Sequence, residues 1–173
     1  LSYSPERENP GSKIKFKDVT KVSSGYTKKC SQLSKLVYQK IVKKVVSATS
    51  LEEAEMSKLL ENIYRSVNIG LINELKIISR PMNININKVI KLASTKPFGF
   101  ETFHPGPGVG GHCIPIDPYY LYWRAKKFGQ KAKFIKLAGD INIETTNWVI
   151  KNIIKILNLK LKINKRKKIL VLG

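Results

Sequence analysis

The feature that most limits what this chain can fold into is an unbroken helical repeat between Ser50 and Pro81. Met56, Leu59, Leu60, Ile63, Val67, Leu71, Leu75 and Ile78 recur at helical spacing, which lines one side of an α-helix. Ser50 is placed to cap the first turn, Glu53 sits at the reciprocal corner of a capping box, and Pro81 stops the run. The predicted helix has about eight turns, and the middle of the chain is predicted to be mainly α.

The flanks read as α/β. Lys13 to Val22 alternates like a strand and Ser23-Ser24-Gly25 breaks it; Thr27 to Lys40 has helical spacing, and Val42 to Ala48 is a short β-branched strand. After Pro81 a second helix is predicted over Asn87 to Ala93, then a loop rich in Gly and Pro from Lys96 to Pro115. Asp117-Pro118 has the form of an N-cap followed by a first-turn proline, and Phe128-Gly129 that of a helix stop. A long helix is predicted from Lys136 to Leu159. Lys167 to Gly173 reads as the first strand of a further α/β domain, without a partner here. The chain opens on Leu1-Ser2-Tyr3 with no initiator methionine, so both ends read as excerpts from neighbouring domains.

With 42% hydrophobic and 25% charged residues, the chain has the composition of a soluble globular protein. No apolar run reaches the roughly 18 to 20 residues of a membrane span, so no membrane association is expected. Two distant cysteines, Cys30 and Cys113, suit a reducing cytoplasm. The net charge of +20 would suit a polyanion. Yet lysine far outnumbers arginine, whose fork serves specific phosphate and base contacts. The lysines are also spread along the chain beside isoleucine and asparagine, as in Asn83 to Lys88. All three residue types have A/T-rich codons, so a biased genome accounts for the charge, and a nucleic-acid partner is not expected.

Chemistry concentrates in Gly106-Pro107-Gly108-Val109-Gly110-Gly111-His112-Cys113. Its glycines satisfy the string of a dinucleotide loop, but the preceding Phe100 to Pro105 is a poor strand and Lys131 stands where an acid should be. The segment instead offers Cys113 on permissive backbone whose N–H groups can receive an anion. From the loop alone a nucleophile and a structural cysteine are equally admissible. On the long helix, Glu55, Lys58, Asn62, Arg65 or Ser66, and Asn73 form a polar stripe. Such a stripe is commonly just solvated, but Lys58 and Asn62, one turn apart, could offer two donors to one developing oxyanion. His104, His112 and Cys113 lack a fourth ligand at zinc-like spacing, so no metal is expected.

Ser4-Pro5-Glu6-Arg7, Ala54-Glu55 with Lys58 and Glu61-Asn62, Asn68-Ile69, Asn73-Glu74-Leu75 and Gly106 to Pro118 occur here in that order. Together they resemble the UDP-glucose/GDP-mannose dehydrogenase family, and the resemblance runs the length of the chain. His112 and Ile116 replace a serine and a lysine usual in the glucose and mannose branches. With the pairing of Pro5–Gly11 and Lys96–Phe100, they look like the branch acting on UDP-N-acetylhexosamines.

The resemblance implies a mainly α fold with α/β flanks. Residues 1–49 would be the tail of an NAD-binding Rossmann domain, 50–165 a central helical domain that dimerises or assembles further through its long helix, and 166–173 the first strand of a nucleotide-sugar domain. It implies two hydride transfers from the sugar's C6 to NAD, with Cys113 forming a thiohemiacetal and then a thioester. Lys58 and Asn62 would stabilise the oxyanions, Asp117 would organise a water or proton relay, and Glu6 would act as an acid/base or water-orienting group. Phe100, Phe103, Gly106, Gly108, Gly110 and Gly111 would line the sugar pocket, with Glu6 and Arg7 at the cofactor. The expected substrate is the N-acetylglucosamine form. The chain alone would be inactive. The rival readings are a non-catalytic dimerisation scaffold and a basic nucleic-acid-binding module.

Overall fold

The structure, a computed structural model, describes residues 1–8, 11–161, 168–170 and 172. In chain order it comprises β1 (Ser2–Tyr3), a 3-10 turn (Phe16–Asp18), β2 (Lys21–Gly25), α1 (Lys28–Gln39), β3 (Val45–Ser47), α2 (Leu51–Ser79), α3 (Ile86–Ala93), α4 (Cys113–Lys127) and α5 (Lys133–Leu161). It is thus mainly helical with one small sheet. Its residues pack as two units, Leu1–Arg65 with His112–Ala132, and Ser66–Gly111 with Lys133–Gly173. Among the described residues no helix is long and apolar enough to cross a membrane.

In the first unit the strand order is β1-β2-β3. β1 runs antiparallel to β2, with Tyr3 opposite Ser24, and β2 runs parallel to β3, with Val22 opposite Val46. The parallel pair needs a crossover, which α1 supplies. Thr27 caps α1 by accepting from the Cys30 N–H at 3.2 Å. The strand expected over Lys13–Val22 is displaced: its first part makes the 3-10 turn, and β2 extends through the serines read as a break. Those serines tolerate burial because their hydroxyls are paired, Ser23 with Ser34 at 2.8 Å and Ser24 with the Tyr3 carbonyl at 3.1 Å.

α2 begins as its sequence asks. Ser50 Oγ accepts from the Glu53 N–H at 3.1 Å, and Glu53 Oε2 accepts from the Thr49 N–H at 2.9 Å. The Thr49 contacts hold the Glu53 carboxyl below its ordinary pKa. The sides of this helix are not used as amphipathicity would suggest. Met56, Leu60, Leu71, Leu75 and Ile78 are exposed, whereas Asn62, Ser66 and Asn73 of the polar stripe are buried. Glu55 and Arg65 remain exposed and Lys58 is half-buried.

In the second unit, α2 and α5 meet closely at Gly70, where an added Cβ would stand 3.3 Å from both the Ala138 carbonyl oxygen and Asn142 Nδ2. Asn142 Nδ2 donates to the Ser66 carbonyl at 3.0 Å. Ile72, Ile90 and Ala138 supply buried apolar surface. Asn85 Oδ1 caps α3, accepting from the Asn87 and Lys88 N–H groups at 3.0 and 3.2 Å. The strand expected over Lys167–Gly173 lies partly outside the described residues, and those described there, 168–170 and 172, are in no regular element.

Candidate active site

The cysteine of the glycine-rich segment opens α4: Cys113 is its first residue and is exposed. The helix was expected to start after Asp117, and the structure corrects this. Pro115 falls within the first turn, where backbone N–H groups have no intrahelical acceptor, so a proline there interrupts nothing. Pro118 lies inside the helix and is buried. The correction matters chemically, because Asp117 is no longer a cap. It sits one turn beyond Cys113 on the same side of the helix, and its Oδ2 accepts from Asn62 Nδ2 at 2.5 Å. The cysteine itself stands among the unpaired N–H groups of a helix start, at the positive end of the helix dipole.

Around this pair the first unit gathers further polar groups. Asn62 is buried, and Lys58, one turn earlier on α2, makes no hydrogen bond or ion pair with any described residue. Its ammonium thus stays available beside a fixed amide. Tyr3, at the end of β1, was not singled out from sequence. Its hydroxyl has a raised pKa because of burial and the negative charges of Glu55 and Asp117, which places it in the same neighbourhood. Only its position just before Pro5-Glu6 could have pointed to it.

Glu6 and Arg7 face different ways. Glu6 Oε1 accepts from the Arg7 N–H at 2.8 Å and Oε2 from Lys21 Nζ at 3.3 Å, while its side chain remains 63% exposed. The Arg7 guanidinium turns inward, donating to the Thr20 carbonyl at 3.1 Å and pairing with Glu61 on α2. Its Nε is buried without a partner among the described residues. Arg7 therefore braces the loop after β1 against β2 and α2, next to Asn62.

In the second unit the predicted sugar-pocket segment is pinned from two helices. Gly106 N–H donates to Asn73 Oδ1 at 2.8 Å, Asn73 Nδ2 donates to the Gly108 carbonyl at 3.2 Å, and Lys76 Nζ donates to the Gly106 carbonyl at 3.3 Å. From α5, Thr146 Oγ1 donates to the Pro107 carbonyl at 2.7 Å. Gly108 has φ +130°, and a Cβ there would lie 2.5 Å from Thr146 Oγ1, so the position excludes any other residue. Gly110 and Gly111 are exposed, as is Phe100, while Phe103 is half-buried. Asn73 is the residue that sequence reasoning underrated: it lay on the noted stripe, but nothing local announced its full burial. Among the described residues no group of three or more His, Cys, Asp or Glu could hold a metal ion.

Comparison with known proteins gives this arrangement its context. The UDP-glucose/GDP-mannose dehydrogenase family, central domain, matches residues 52–144. Protein CapL of Staphylococcus aureus is 42% identical over 157 residues, covering 90% of this chain and 37% of CapL. The UDP-N-acetyl-D-glucosamine 6-dehydrogenase of Pseudomonas aeruginosa is 40% identical over 155 residues, covering 88% of this chain and 36% of that enzyme. The solved UDP-D-ManNAc dehydrogenase of Pyrococcus horikoshii superposes with a TM-score of 0.81 at 33% identity, over 91% of this chain and 37% of that one. The chain therefore spans little more than a third of the length of these relatives. Its matched segment carries Lys58, Asn62, Asn73, Cys113 and Asp117, and the chain belongs to the UDP-glucose/GDP-mannose dehydrogenase family.

Proposed function

We propose that the protein containing this chain oxidises the C6 alcohol of a UDP-N-acetylhexosamine, in the first instance UDP-N-acetylglucosamine, to the carboxylate by way of a covalent adduct on Cys113. The observation that carries this reading is the meeting of Asn62 and Asp117 within one helical turn of the cysteine, with the Lys58 ammonium free on the neighbouring turn of α2. NAD, when bound, supplies the acceptor for a hydride from C6 in each of two oxidations. Of the residues expected at the cofactor, the exposed Glu6 carboxylate fits an outside ligand, and the inward-turned Arg7 fits a bracing role. The dinucleotide fold itself would lie outside this chain, residues 1–49 being its tail and 166–173 the start of a sugar-nucleotide domain.

The chain's own residues act on the carbon and its oxygen. After the first oxidation, the Cys113 sulfur adds to the aldehyde; a C–S bond forms and the carbonyl electron pair moves to oxygen. Lys58 and the Asn62 amide donate to that oxyanion, which is stabilised because both donors are fixed before it forms. Loss of the second hydride leaves a thioester. A water, oriented by Asp117 and giving up its proton there, attacks the acyl carbon; the C–S bond breaks and the thiolate returns. The pinned Gly106 and Gly108, together with Gly110, Gly111, Phe100 and Phe103, would line the sugar site. Assembly through the central helix is part of this proposal, supported by the exposed apolar residues of α2, and the working compartment would be the cytoplasm.

The test is stoichiometric. The full-length protein should form two NADH per UDP-N-acetylglucosamine consumed, and Cys113→Ser should abolish acid formation. Normal double oxidation by that variant would overturn the covalent step. Relatives of both the glucosamine and the mannosamine type match this chain, so the mannosamine substrate is assayed alongside. Inactivity toward both sugars would favour a non-catalytic scaffold.

A further inference from the structure

Lys21 is a charged side chain in an unusual place. The residue is only 4% exposed, at the start of the central strand, and its ammonium lies 5.4 Å from the Phe16 ring centroid and 5.5 Å from that of Tyr38. Burying an ammonium is costly unless an opposite charge faces it. Two aromatic faces offset part of that cost. The one carboxylate paired with it among the described residues is Glu6, at 3.3 Å. The neighbouring cation offers no alternative, since the Arg7 guanidinium is turned to Thr20 and Glu61, and Glu8 contributes only its backbone N–H to Glu6.

We propose that Lys21 is a positioning residue for the reaction centre: walled in by Phe16 and Tyr38, its ammonium fixes the Glu6 carboxylate in one outward-facing, charged orientation. The inference rests on the function proposed above and extends it to a group that touches neither substrate nor cofactor. The geometry makes the roles asymmetric. Lys21 is immobilised by burial, so the exposed Glu6 takes its position from Lys21 and not the reverse. One carboxylate oxygen is held by Lys21 and the other by the Arg7 N–H, which leaves the outer lone pairs for a ligand or water. Burial raises the Glu6 pKa, but the Arg7 N–H, Lys21 and the Glu8 N–H outweigh it, and the net direction is down.

The experiment uses full-length protein and two readouts. Carbodiimide amidation of Glu6, followed by peptide mass spectrometry across the acid range, reports carboxyl protonation without requiring turnover. Lys21→Met should move its midpoint up by about one pH unit. It should also lower kcat by about tenfold with KM for the nucleotide sugar little changed, and Lys21→Arg should restore both. Phe16→Leu, at a 40% exposed ring, keeps the fold if Lys21→Met does not, and should move the midpoint in the same direction. An unmoved midpoint in the folded variants, or an unchanged kcat in Lys21→Met, overturns the proposal. A shifted midpoint in a protein that oxidises no nucleotide sugar refutes the function proposed above and leaves the Lys21–Glu6 coupling standing.

Discussion

Replacing Asn73 with leucine should destabilise the second unit by about 3–5 kcal/mol. Asn73 is fully buried and takes part in three hydrogen bonds: to the Gly106 N–H, the Gly108 carbonyl and Asn142 Oδ1. Leucine has the same branching and number of side-chain heavy atoms, so no cavity is left, and any overpacking by its bulkier methyl groups would only add to the loss. What changes is that three polar groups lose their partner together. A buried group left unpaired costs roughly 1–3 kcal/mol. The two loop groups are only half-buried and can regain water if the segment lifts, whereas Asn142 is 3% exposed and cannot. Counting the buried acceptor in full and the loop groups at the low end gives a loss of about 3–5 kcal/mol. For a chain of this length, a loss at the low end of that range lowers the thermal midpoint by roughly 6–12 °C. Differential scanning calorimetry gives the midpoint, and hydrogen exchange at the Gly106 amide tells whether the segment has lifted. A loss below about 1 kcal/mol, with Gly106 protection unchanged, would refute the assignment of Asn73 as the pin.

Other expectations follow from the same geometry. Gly108→Ala forces a Cβ against Thr146 Oγ1 and the Asn142 carbonyl at a positive φ, and should destabilise by at least about 2 kcal/mol; Gly110→Ala, with no atom within 4 Å, should be neutral or slightly stabilising by thermal melt. The Thr27 hydroxyl and backbone hold the Cys30 thiol below the ordinary cysteine pKa. In a Cys113→Ser background of the full-length protein, Thr27→Val should therefore move the pH midpoint of Cys30 alkylation up. On α2, Leu71, Leu75 and Ile78 form an apolar stripe 38–50% exposed. Sedimentation velocity should show self-association that Leu71→Glu with Ile78→Glu abolishes; an unassociated wild type at high concentration would count against assembly through this helix.

The sequence made the helices legible because their signals are local. Ser50 with Glu53, and Gly129, mark helix ends by chemistry acting within a few residues, whereas the Asn85 cap starts α3 one residue before the expected Asn87. What it hid depends on partners far along the chain. Ser23 and Ser24 look like a strand break until Ser34 and Tyr3 arrive to satisfy them. Asp117 looks like a cap until Asn62 claims its carboxylate, and the helix begins five residues earlier than the Asp-Pro signal suggests. The polar stripe of α2 shows the limit of periodicity most clearly. Spacing put Asn62, Ser66 and Asn73 on one side of the helix, but whether that side faced water or other chains of atoms was decided by Asp117, Asn142 and the glycine segment.

The pinning of that segment also sets the order in which the chain can fold. Asn73 reaches Gly106 across 33 residues and Asn142 across 69, so the full set of these bonds cannot form until α2 and α5 have closed on one another. Contacts made across such spans close large loops late, after nearer contacts have repaid part of the entropy. The glycine segment should therefore be absent from the rate-limiting step: lesions in its pins would speed unfolding and leave the folding rate almost untouched. In the native state the segment is then the part that lets go first, and a ligand that rests on it would act as a brake on unfolding.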